Sequence, residues 1–260
     1  MGGVGEGSSI LERLKAIVLR TVKYGDTGLV VDCFTAERGR VSFITGVGGG
    51  RKRGSSGMAL WRPMNLVEFS AELGSSKGMP RLHNASVYAS YFDIPFNHVK
   101  SAQTMFLAEC LIHVLHESSS DNTLYNYIET SLLWLDAANE GYANFHIYFL
   151  LRLTRFVGIE PNMEQRDADA WRVRGGANLY FDMQAGSFCY SQPVHPHFIA
   201  PAEAVFLPLL MRMSLRTMHL YGFSRNERQR ILSAFNTYYR LHIPSFPQLR
   251  SLEVLREVFD

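Results

Sequence analysis

The sequence predicts an α+β fold, with a small β-barrel first and an all-helical domain after it. Two observations lead there. Five short strand-like runs, separated by turn residues, fill the first 90 residues, and from about residue 98 apolar side chains recur at three- and four-residue steps. Charge divides the chain at the same place. The 260 residues carry 26 Lys+Arg and 24 Asp+Glu, a net of +2. Residues 1–90 hold 12 cations against 7 anions, a net of +5; residues 91–260 hold 14 against 17, a net of −3. A basic module points to a polyanionic partner.

Composition excludes several classes. An apolar share of 47% with 19% charge is that of a globular chain, neither disordered nor collagen-like. No uninterrupted apolar stretch approaches 18 residues and no basic segment leads into an apolar one, so the chain is expected neither to span a membrane nor to be secreted. Cys33, Cys110 and Cys189 are odd in number and far apart, which fits a reducing, cytosolic setting better than a disulfide framework.

Residues 1–14, opening with MGGVGEGSS, are read as a disordered leader. Strand patterns follow at Ala16–Val22, Leu29–Phe34 and Arg40–Thr45, with turns at Tyr24, Gly25 and Asp26 and at Glu37, Arg38 and Gly39. After the break GVGGGRKRGSSG at 46–57, two further strands are expected at Asn65–Leu73 and His83–Tyr91. Five strands over residues 15–91 read most economically as an OB-type barrel. Helices are expected from 98 through His116, from the cap candidates Asp121, Asn122 and Thr123, and over Phe145–Phe156, ended by Gly158 and Pro161. An irregular insert covers about 159–200. Helix returns after Pro201, a capping box at Ser224–Glu227 opens the next one, and Leu252–Phe259 closes a helical domain of 98–260.

The glycine-rich break is no P-loop, because the second glycine of that spacing falls on Arg51. No βαβ unit surrounds it, so a dinucleotide site fails too. What remains is a loop with three adjacent cations, Arg51, Lys52 and Arg53, of the kind that follows a phosphate backbone. A plain solvated loop has the same composition. Lys15, Arg20, Lys23, Arg38, Arg40, Arg62 and Arg81 punctuate the strands and turns of the same module, and Lys15, Arg20, Lys23, Arg38 and Arg40 are read as joining the loop in contacting a nucleic-acid backbone. Of the aromatics among them, Phe34, Phe43 and Phe69 are read as core, and Tyr24 and Trp61 as candidates to stack on bases.

Catalytic and metal signatures are weak. Asp182, Cys189, His195 and His197 form the single cluster of possible ligands, short of the number and spacing zinc requires. His98, His113 and His116 have no glutamate at metalloprotease spacing, and neither a GxSxG elbow nor a conspicuous carboxylate pair occurs. No metal, cofactor or enzymatic activity is expected; a hydrolase or metal enzyme built on the Asp182 cluster is the rival reading.

Several stretches together resemble the bacterial RecO family of DNA repair and recombination mediators. They are KAIVLRTVKYG at 15–25, TAERGRVSF at 35–43, the basic loop at 46–54, Phe149–Gly158, FDMQAGSF at 181–188 and FPQLRSLEVL at 246–255. The similarity runs from about residue 15 to the end. It implies a non-enzymatic, cytoplasmic and nucleoid-associated protein. Such a protein binds single- and double-stranded DNA, anneals complementary strands, and loads recombinase with RecR and single-stranded DNA-binding protein (SSB). Many members carry a four-cysteine zinc site, of which this chain keeps only Cys189. The alternative is an OB-fold module that binds protein or RNA without annealing.

Overall fold

The computed structural model describes residues 10–46, 56–73, 78–115, 120–163 and 179–258. They divide between Ala137 and Ala138 into two compact units.

The first unit is built on β1 (Ile10–Tyr24), β2 (Gly28–Thr35), β3 (Gly39–Gly46), β4 (Leu66–Leu73) and β5 (Leu82–Ala89), with a short helix α1 (Ser56–Leu60) before β4. The sheet runs in the order β3-β2-β1-β4-β5, and every neighbouring pair is antiparallel. Its outer strands also meet, through a parallel bridge between Ile44 and Arg81. This is the OB-like sheet the strand count predicts.

β1 begins earlier than the sequence reading placed it. Residues 10–14, which composition places in the leader, pair with the far end of β4, from Ile10 opposite Leu73 to Leu14 opposite Phe69. Leu14 is fully buried while Arg13 and Lys15 are exposed, the alternation of a half-buried strand. Residues 1–9 lie outside the described residues.

One inner face holds Leu14, Val18, Val31, Phe43, Val67 and Phe69, all buried. Phe43 and Phe69 meet edge-on at 4.9 Å. A bulge between Val18 and Arg20 places one extra residue in β1 opposite β2. Leu19 is thereby buried and Arg20 returned to solvent. The turn from β2 to β3 is held by Thr35, whose hydroxyl accepts from the Arg38 N–H at 3.0 Å and donates to the Gly39 carbonyl at 2.9 Å. Gly39 sits at φ +69°, where a side chain would be strained.

Helices α2 (His98–Val114) and α3 (Asn122–Ala137) belong to the same unit. Asn97 caps α2 by accepting from the N–H groups of Val99 and Lys100, and Asp121 caps α3 through Thr123 and Leu124. Phe34 packs 6.1 Å from Tyr125 of α3. A polar knot secures the segment between β5 and α2. The Asp136 carboxylate accepts from the N–H groups of Phe92, Asp93 and Ile94, and the fully buried Lys100 Nζ donates to the Asp136 carbonyl and the Asp93 carboxylate. The Lys100 hydrogen bond holds the Asp93 carboxyl below its ordinary range.

The second unit centres on α4 (Phe145–Phe156) and contains the small sheet β7-β6-β8, from β6 (Tyr180–Asp182), β7 (Ser187–Cys189) and β8 (Phe198–Ile199). Two single-turn helices, α5 (Pro201–Ala204) and α6 (Leu207–Leu210), precede α7 (Arg225–His242) and α8 (Ser251–Val258). Pro201 opens α5, and the Ser224–Glu227 capping box opens α7, both as expected. The Tyr239 hydroxyl of α7 donates to the Leu150 carbonyl of α4 at 2.9 Å inside the core. Phe181 and Tyr238 anchor β6 to α7.

His146 of α4 is fully buried, and burial, with the Arg228 charge adding to it, pushes its imidazole down to about 3. An unfolded histidine titrates near 6.5. Below that pH the unfolded chain binds a proton the folded chain does not, so stability is full above about pH 6.5 and falls as pH drops towards 3. Urea unfolding is expected to show about 2 kcal/mol lost between pH 7 and pH 5 from this group. His146→Gln should show correspondingly less pH dependence, and equal losses in both proteins would contradict the assignment.

Candidate nucleic-acid interface

The sequence-predicted cations separate into two kinds once their partners are seen. Arg40 is structural. Its guanidinium grips Asp32 through two contacts, Nε to Oδ1 at 3.0 Å and Nη2 to Oδ2 at 2.5 Å, and also donates to the Ile112 carbonyl of α2. Its side chain is 14% exposed and that of Asp32 5%. Three of its five N–H donors, one on each nitrogen, are thereby engaged, so Arg40 is built into the framework between a buried carboxylate and a helix carbonyl.

Trp61 is enclosed likewise. It is 2% exposed and packs 6.5 Å from Phe69 in the sheet core, so its ring offers no face on which a base could stack. Phe34, Phe43 and Phe69 are core, as read from the sequence.

The other cations lie outside. Arg38 pairs with Glu12 at 2.8 Å and Arg13 with Glu68 at 2.7 Å, both pairs solvent-exposed and therefore weak. The Lys15 ammonium lies 4.8 Å above the Tyr88 ring. Tyr88 in turn meets Tyr125 at 3.0 Å and donates to Glu129; burial and these bonds push its phenol far above its ordinary value. Tyr24, at the β1–β2 turn, is 60% exposed.

Arg20, Lys23 and Arg62 come together. All three are exposed and line one cavity of about 410 Å³, floored by buried Leu29 and Trp61 and walled by Met58 and Met105. Arg20 lies 3.6 Å from Asp32, whose carboxylate Arg40 already occupies, so the cluster keeps net positive charge. Among the described residues Glu109 is the one acidic residue of the lining. The sequence marks Arg20, Lys23 and Arg62 as cations of the barrel, but nothing in it signals Met58 or Met105. Those lie on different elements, and the fold alone joins them. Arg51, Lys52 and Arg53 lie outside the described residues.

The Asp182 cluster is looser. His195 Nε2 stands 3.3 Å from Asp182 Oδ1, while the Cys189 thiol donates to the Ser191 carbonyl at 3.3 Å. Burial, with nearby Asp182, pushes that thiol up, away from the thiolate a metal or a nucleophilic reaction requires. Among the described residues no group of three or more His, Cys, Asp or Glu side chains is placed to hold a metal ion.

Two family models match the chain in succession: Recombination protein O N terminal over residues 10–91, and Recombination protein O C terminal over residues 97–253. The chain belongs to the RecO family. Curated relatives named DNA repair protein RecO agree along nearly the whole length. That of Phocaeicola vulgatus is 40% identical over 251 residues, covering 96% of this chain and all of the relative. That of Bacteroides fragilis is 39% identical over 252 residues with the same coverage, and that of Porphyromonas gingivalis 31% over 251 residues. The two RecO models meet where the sequence changes from strand to helix periodicity. The chain thus carries the DNA repair and recombination role of its family on an OB-like sheet followed by helices. Among the described residues no helix is long and apolar enough to cross a membrane.

Proposed function

We propose that this RecO-family protein binds single- and double-stranded DNA through the basic face of its β-module and anneals complementary strands without consuming nucleotide. The observation that carries the reading is the convergence of Arg20, Lys23 and Arg62 on one concave surface, with Tyr24 exposed beside Lys23. Exposed cations neutralise phosphates and release their counterions. Two strands that each lose part of their charge repel one another less, and base pairing then proceeds on its own energy. Arg51, Lys52, Arg53, Lys15 and Arg38 are further cations that this reading assigns to phosphates. Arg40 and Trp61 have no part in it.

The second unit, from the aromatic-rich helical part of the chain, is assigned to protein partners. Its apolar cavity of about 440 Å³, bounded by Phe181, Leu207 and Phe235 and rimmed by Glu203 and Arg230, offers such a surface. RecR and SSB are the partners of this reading, recombinase loading its outcome and the cytoplasmic nucleoid its place. No catalytic step is required of it.

Annealing of complementary oligonucleotides without nucleotide is the test. The protein is expected to accelerate pairing at low salt and lose that effect as salt rises. DNA binding without acceleration, or preference for RNA, would instead make the chain an OB-type interaction module.

A further inference from the structure

We propose that the cavity beneath Arg20, Lys23 and Arg62 receives one unpaired base of a bound DNA strand, so that the interface selects single-stranded over duplex DNA. The inference rests on the DNA-binding reading above and assigns the cavity a ligand of defined chemistry.

Three observations point to a base. The cavity, about 410 Å³, falls within the size range of small-molecule sites, and its floor is apolar, with Leu29 fully buried. Its walls carry Met58 and Met105, which are 47% and 57% exposed although apolar. A methionine thioether is polarizable and adaptable and packs well on aromatic rings, whichever of the four bases supplies the ring. Its rim carries Arg20, Lys23 and Arg62, against Glu109 as the acidic residue among the described lining. An apolar pocket under a cationic rim matches the two halves of a nucleotide, a flat base and the phosphates flanking it.

A base in a duplex is held by pairing and stacking and must be extruded before it can enter, whereas a single strand presents it at little cost. The cations, by contrast, attract both forms. The cavity therefore supplies strand preference and the rim supplies affinity. Because thioether contacts read no base edge, the preference is independent of sequence, as annealing of arbitrary strands requires.

The test compares the full-length protein with a Met58→Ala/Met105→Ala variant and with each single variant. The ligands are a mixed-sequence oligonucleotide carrying one 2-aminopurine and its duplex form. Both methionines are exposed, so the variants are expected to keep the wild-type thermal midpoint. The double variant should bind the single strand about tenfold more weakly, the singles being intermediate, with duplex affinity unchanged within about twofold. The 2-aminopurine fluorescence change seen with wild type should shrink with it. Unchanged single-strand affinity, or equal loss for both DNA forms, would overturn the cavity assignment while leaving the DNA-binding reading intact. Failure of the wild type to bind either DNA would overturn both.

Discussion

Arg40→Ala is expected to lower the stability of the first unit by about 3 kcal/mol, seen as a drop of roughly 6–12 °C in thermal midpoint. The cause is the carboxylate left behind. Asp32 is 3% exposed and sits on β2 opposite Arg20 and Ser42. With Arg40 gone it keeps Arg20 at 3.6 Å and a long contact from the Ser42 hydroxyl at 3.4 Å, neither of which replaces a two-point guanidinium contact. The Ile112 carbonyl loses a donor in the same step. Arg40→Lys should recover only part of the loss, since an ammonium cannot span both carboxylate oxygens and the helix carbonyl. Below its melting point, the Arg40→Ala protein should bind DNA as wild type does. An unchanged midpoint with weakened DNA binding would restore Arg40 to the interface and remove it from the framework.

The opposite outcome is expected for Arg20→Ala/Lys23→Ala/Arg62→Ala. These side chains are exposed, and exposed cations contribute little to folding, so the thermal midpoint should stay close to wild type. Single-stranded DNA affinity at low salt should fall roughly a hundredfold. More telling is the salt dependence. Each phosphate contact contributes about −0.7 to the slope of log affinity against log salt on a single strand, so removing three should flatten that slope by about two. The loss should be uniform across base sequences, because phosphate contacts carry no sequence information. A reduced affinity with an unchanged slope would mean that the three cations act through shape rather than charge, and the electrostatic reading of this face would fail.

These two variants mark where sequence reading succeeds and where it stops. Local chemistry was legible. The TAERG turn announces itself because Thr35 and Gly39 form it with their own side chain and backbone, and Ser224–Glu227 caps α7 within four residues. Helix periodicity is clearest in α3, whose buried Leu124, Ile128, Leu132 and Leu135 form one stripe; α2 and α4 are enclosed on more than one side, α4 from Phe145 through Leu151 without a break. The three-residue strands β6 and β7 lie inside what reads as irregular sequence, since two or three residues cannot display a period.

Arg20 and Arg40 are both arginines on alternating strands, and their separate roles depend on pairing. Only the register that sets Asp32 opposite Arg20 and Ser42, and the placing of α2 beside β1, decide which guanidinium is enclosed. The bulge at Leu19 adds a second long-range decision, because one extra residue reverses which side chains face solvent. Trp61 misleads for a related reason. It stands beside a turn and among cations in the sequence, yet its ring contacts come from Phe69 in the core. Proximity along the chain to Arg62 says nothing about the side on which a neighbouring ring lies. The cavity itself is assembled from β1, β2, α1 and α2, and no window of sequence contains more than a fraction of it.

In the proposed function, cations gathered on the β-module bring complementary strands together. Its most direct test measures annealing of two complementary oligonucleotides, without nucleotide, by wild type and by Arg20→Ala/Lys23→Ala/Arg62→Ala side by side at low salt. Wild type should accelerate pairing well above the uncatalysed rate, and the folded variant should lose most of that acceleration. A variant that anneals as fast as wild type would contradict the claim.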